Sequence, residues 1–158
     1  MKRSIRNMIV LLLAAVYIGI GYLRDFLFVN INFALDKLQS DKEFQGHSFL
    51  EFLKNLDAST LVTSKYLLTG VFTLLNFLPG AFIIYLLFRY RIYVRWYASL
   101  YGTTLFIALL FFGGGHLLGF GHHGYSLSRL FMGFLQSPVP AMIFLPLCWL
   151  HQREREEK

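Results

Sequence analysis

The chain has 158 residues and a net charge of +6, with 56% hydrophobic, 18% aromatic and only 15% charged residues. A soluble domain carries about 25% charged residues, so this balance speaks against a soluble enzyme, a nucleic-acid binder and a disordered chain. What remains is an all-α integral membrane protein, and the mean hydropathy of +0.51 agrees.

A bilayer core of about 30 Å needs about 20 apolar helical residues. Four segments reach that length, at about residues 8–28, 63–88, 96–118 and 129–150. The first follows Lys2, Arg3 and Arg6. A cleaved signal peptide is the rival reading, but no small-x-small cleavage site follows its apolar run. Residues 30–60 then read as a short extracytoplasmic amphipathic helical segment. Ser48-Phe49-Leu50-Glu51 has the form of a capping box, and Phe49, Leu50, Phe52, Leu53 and Leu56 follow at helical spacing. That segment either lies on the outer leaflet or packs as a lid on the helices. The second span is free of charge from Tyr66 to Phe88, and Pro79 is expected to kink it. The third starts at Trp96-Tyr97. The fourth contains Pro138, Pro140 and Pro146, which make it irregular.

Basic residues set the orientation. One side holds nine of them (Lys2, Arg3, Arg6, Arg89, Arg91, Arg95, Arg153, Arg155 and Lys158) against three glutamates. The other holds Arg24, Lys37, Lys42, Lys54, Lys65 and Arg129 against six acids. The expectation is a multi-pass inner-membrane protein with both termini cytoplasmic. Tyr90, Tyr93, Trp96 and Tyr97 supply an interfacial aromatic belt.

Small and polar residues at steps of three and four should point into a four-helix bundle. They are Ala15 and Gly19, or the parallel set Tyr17, Gly21 and Arg24, in the first span. The second has Tyr66, Thr69, Thr73, Asn76 and Gly80. The third has Tyr97, Tyr101, Thr104 and Ala108, and the fourth Arg129, Gly133, Gln136 and Pro140. Ala15 and Gly19 would equally suit contact with a second copy of the chain.

Arg24, with Asp25 beside it, and Arg129 stand near the outer helix ends. A guanidinium fork there suits a lipid phosphate or a partner's carboxylate. The plain alternatives are snorkelling to headgroups and an internal pair with Asp25 or another outer acid. Asn76 and Gln136 join them as candidate lipid- or partner-binding side chains. His116, His122 and His123 lie in a glycine-rich stretch and are weak metal candidates, since their spacing matches no zinc pattern. Cys148 is expected near the inner end of the fourth span, far from that histidine cluster. With no paired carboxylates in any span, and no GxGxxG, P-loop or HExxH, no catalytic residue and no cofactor is expected.

Three blocks carry a resemblance. They are Ser128-Arg129-Leu130-Phe131 with Gln136-Ser137-Pro138 and Ile143-Phe144-Leu145-Pro146-Leu147-Cys148-Trp149; Arg24-Asp25 before Phe26-Leu27-Phe28; and Lys65-Tyr66 leading to Ile83-Ile84-Tyr85. Together they resemble small exosortase-associated membrane proteins of the Bacteroidetes type. The histidine- and glycine-rich stretch is not covered. The resemblance implies an accessory protein of an exosortase, an integral membrane sorting enzyme that carries its own catalytic Cys, Arg and His. Cys148 therefore takes no nucleophilic role. The leading expectation is an accessory protein in protein sorting or surface export, with membrane lipids and an integral membrane enzyme as partners. The alternatives are a protein that binds or modifies lipid phosphates through an outer-leaflet basic pocket, and an extracytoplasmic metal binder.

Overall fold

Runs of Leu, Ile, Phe and Tyr without an interior breaker favour long helices, and the computed structural model of the protein is built from them. It describes residues 3–40, 48–117, 119 and 121–157. The elements are α1 (Arg3–Ser40), a 3-10 helix (Ser48–Asn55), α2 (Ala58–Phe88), α3 (Arg91–Leu117), α4 (Gly121–Leu135) and α5 (Val139–Glu156). Three helices are long and apolar enough to cross a membrane, over Ser4–Leu38, Ala58–Phe88 and Arg91–Gly115. α4 and α5 qualify together, but a bend of 57° separates them.

The boundaries differ from the sequence expectation in three places. First, α1 does not end near residue 28; it runs through the first part of the expected outer segment to Ser40. Residues 25–40 contain no Gly or Pro, and Asn30 satisfies its amide on its own helix by donating to the Phe26 carbonyl at 2.7 Å. Second, the capping-box region forms a 3-10 helix with a kink at Leu50, not an α-helix. It packs as a lid on the chain's own helices: Leu50 and Leu53 are buried with Ile31 and Ala34 of α1 and Leu61 of α2. Lys42 and the neighbouring acids Asp41 and Glu43 lie outside the described residues. Third, the fourth segment is two helices, and the glycine–histidine stretch before it is helical from Gly121 onwards. Pro79 and Pro146, by contrast, lie within uninterrupted helices.

α2 starts at Asp57, whose carboxylate accepts the Thr60 backbone N–H at 3.2 Å and the Ser59 hydroxyl. It ends at Arg89, which takes the left-handed conformation (φ 58°) and donates its N–H to the Tyr85 carbonyl. α1 packs on α2, and α3 forms a tight hairpin with α4. The hairpin needs glycine: a Cβ at Gly124 would stand 2.5 Å from the Phe111 carbonyl oxygen and 2.7 Å from the Gly115 Cα. Glycines at 115 and 124 let the two backbones meet.

Two cores form. One gathers Tyr17, Ile83, Ile84, Tyr93, Tyr97, Tyr101, Leu135 and Cys148. Phe77 stacks on Tyr97 at 5.7 Å within it, and a Cβ at Gly80 would collide with the Tyr97 hydroxyl. The smaller core lies under the 3-10 helix. The inward stripes of α2 and α3 hold for Asn76, Gly80, Tyr97, Tyr101 and Ala108, all buried. Tyr66 is exposed, and in α1 it is Tyr17 that is buried while Ala15 and Gly19 face outward.

Gly124→Ala should cost about 1–3 kcal/mol, because backbone atoms block the new methyl. Gly102→Ala, with nothing within 4 Å, should be neutral or stabilising. Thermal unfolding of the two variants in detergent checks the contrast; equal losses would contradict the close approach. A second expectation concerns acid. Hydrogen bonds from Ser59, then Thr60, hold the Asp57 carboxyl well below its ordinary value, at about 2. A lowered folded value makes its contribution complete above the ordinary carboxyl range and lost as pH falls towards 2. Asp57→Asn should therefore flatten the stability loss over that acid window, read by circular dichroism at the helix band.

Candidate functional site

Between the two cores the helices do not close. A cavity of about 730 Å³ opens among α1, α2, α3 and α4. Most of its wall is apolar, from residues such as Val29, Val62, Leu105, Leu109 and Phe112, several of which also face outward. Set into this wall are three cations, Arg24, Lys65 and Arg129, with Asp25, Asn32 and Gln136.

Each cation is held differently. Arg24 projects from α1 and is only partly exposed. Its Nε donates to Gln136 Oε1 at 2.9 Å and its Nη1 to Asp25 Oδ1 at 2.9 Å. Its guanidinium also sits 5.6 Å above the Phe28 ring. Gly133 of α4 leaves room beside it, since a Cβ there would be 3.9 Å from Arg24 Nη2. Lys65 projects from α2 and donates to Asn32 Oδ1 of α1 at 2.8 Å. Arg129, on α4, is exposed and makes no hydrogen bond or ion pair among the described residues, though its charge acts on Lys65.

Gln136 is the junction. It is buried, at 3% exposure, just past the end of α4. There the helix stops, because Pro138 disfavours helical geometry at Ser137. Its carboxamide accepts from Arg24 and donates to the Thr69 carbonyl of α2 at 2.9 Å. Thr69 and Thr73 return their hydroxyls to carbonyls one turn back, at 2.8 Å and 2.7 Å. The break frees further carbonyls. Tyr101 of α3 donates to the Leu135 carbonyl at 3.1 Å, and Tyr17 of α1 to the Ser137 carbonyl at 3.4 Å.

The structure thus brings together four of the residues singled out from sequence: Arg24, Asp25, Arg129 and Gln136. The plain alternative for Arg24, a pair with Asp25, is present as well. Asn76 is not at the cavity. It is fully buried in the helix packing, its amide donating to the Phe72 carbonyl at 2.9 Å and its Oδ1 without a partner. Among the described residues no three His, Cys, Asp or Glu side chains gather as a metal site. His123 is exposed on α4, and the side chains of His116 and His122 lie outside what is described. Sequence reading missed Lys65 and Asn32 as site residues. The available signal was the step of four from Lys65 to Thr69 and Thr73, which puts the lysine on the same inward face.

Chemically, the cavity offers N–H donors and positive charge at the edge of an apolar volume. Its lining also includes the hydroxyl side chains of Tyr66, Thr69, Tyr125 and Ser128. The Arg24–Gln136 contact should show a coupling of roughly 1 kcal/mol in a double-mutant cycle of Arg24→Ala and Gln136→Ala, measured by thermal unfolding. Strictly additive losses would mean that the contact carries no energy. Compared with protein-family models, curated proteins and solved structures, the chain finds no match in any of the three.

Proposed function

We propose that the chain is a multi-pass membrane protein that holds the anionic headgroup of an amphiphile in this cavity. The ligand's chain would lie along the apolar wall and pass out to the bilayer. One observation carries the reading: three cations line a cavity whose wall is otherwise mostly apolar, and two of them, Arg24 and Lys65, stand on helices long and apolar enough to cross a membrane. Ionisable side chains at such depth are costly and face a partner, a polar cavity or a ligand. The charge pattern of the chain supports both termini cytoplasmic, with the cavity towards the outer leaflet of an inner membrane.

A second reading is an accessory role beside an exosortase-type sorting enzyme. It is favoured by the convergence of the resembling blocks: Arg24-Asp25, Lys65-Tyr66, Ser128-Arg129 and Gln136 all line the cavity. A carboxylate or lipid anchor presented by such a partner would meet the same cations. Both readings share the anion site.

The test is Arg129→Ala, which breaks no hydrogen bond among the described residues. Purified in mild detergent, the native protein should retain anionic lipid by native mass spectrometry. The variant should retain several-fold less at an unchanged melting temperature. Equal retention would overturn the reading.

A further inference from the structure

The charges in the cavity are not equivalent. Arg24 already shares a hydrogen-bonded ion pair with Asp25 at 2.9 Å. Its remaining N–H groups are donors whose charge is partly answered. Lys65 and Arg129 differ. Lys65 is held by a neutral amide oxygen, Asn32 Oδ1. Arg129 makes no hydrogen bond or ion pair among the described residues. Among the described residues no carboxylate stands at ion-pair distance from either. Asp36, outside the cavity wall, acts on Lys65 less than Arg129 does. Two like charges, neither hydrogen-bonded to a carboxylate among the described residues, therefore face one largely apolar volume.

We infer that the cavity selects a dianionic phosphomonoester headgroup over a monoanionic phosphodiester, with Lys65 and Arg129 as the selecting pair and Arg24 as a fixed donor. The inference rests on the amphiphile reading above. A phosphomonoester carries about −1.5 to −2 charges at neutral pH, which matches the two uncompensated cations. A phosphodiester carries one charge and leaves one cation unanswered, and a zwitterion brings a cation of its own. The donor types fit the oxygens. A guanidinium reaches two of them in parallel, and an ammonium acts as a point charge on the third. Asn32 and Asp25 hold Lys65 and Arg24 in place before the ligand arrives, which lowers the ordering cost of binding.

The experiment titrates the full chain in detergent, at neutral pH, with phosphatidic acid, phosphatidylglycerol and phosphatidylcholine of identical acyl chains. Native mass spectrometry is the readout. Phosphatidic acid should bind at least about tenfold tighter than phosphatidylglycerol, the scale of one charge-assisted hydrogen bond. Lys65→Gln and Arg129→Gln should each bring it down to the phosphatidylglycerol level, and Lys65→Arg should keep the preference. If Lys65→Gln does not fold, Arg129→Gln decides alone. Equal binding of the two anionic lipids, both above phosphatidylcholine, overturns the selectivity and leaves the amphiphile reading standing. No preference over phosphatidylcholine overturns both. Displacement of bound lipid by inorganic phosphate at equal concentration assigns the site to a free anion and overturns the lipid source.

Discussion

The fold depends on what happens to the backbone between Leu135 and Val139. Ending one helix and starting another inside a bundle leaves carbonyl groups without helical partners, and each costs about 1–3 kcal/mol if buried unmet. The chain meets them from elsewhere: Tyr101 on α3 reaches the Leu135 carbonyl, and Tyr17 on α1 the Ser137 carbonyl. The Ser137 hydroxyl turns back to the Phe134 carbonyl at 2.7 Å. The break thus needs the packing of α1 and α3, whose tyrosine hydroxyls meet the freed carbonyls. Gln136, at the end of α4, completes the dependence by reaching both Arg24 and Thr69.

The same arrangement explains why a cavity exists. On one side of Gln136 the tyrosine-rich core is tight enough to demand glycine at position 80. On the other, the lid of Leu50 and Leu53 draws α1 and α2 together. α3 and α4 hold each other through Gly115 and Gly124. Two pairs of helices, joined at the tyrosines and each closed on itself, leave a gap where the charged side chains lie. Filling that gap with the chain's own side chains would require burying three cations, and long basic side chains resist burial away from water or an anion.

Much of this was legible in the sequence, and the reasons for the rest are specific. Apolar length showed the long helices, and the spacing of Thr69, Thr73 and Asn76 showed which face of α2 turns inward. Periodicity does not resolve depth, so Asn76 shared a stripe with the site and yet ended in the core. The polar run after residue 28 looked like an exit from the helix, but Ile31 and Ala34 keep a buried face there and nothing breaks the backbone. For the glycines in 113–124, only the partner helix shows that two of them are contact points. Lys65 escaped notice as a site residue because its partner, Asn32, is 33 positions away and belongs to another helix.

The unequal treatment of the three cations bears most directly on function. Stability alone does not account for it. Arg24 pairs with Asp25 and faces Phe28 on its own helix, and its hydrogen bond to Gln136 ties α1 to the end of α4. Lys65 and Arg129 add repulsion in the same small volume, and only a neutral amide answers the first of them. Any anion bound there lowers the free energy of the folded chain by mass action. Under the proposed function the repulsion is answered by a headgroup with enough charge to face both cations at once. The apolar wall then sets the second requirement, that this headgroup arrive attached to a chain.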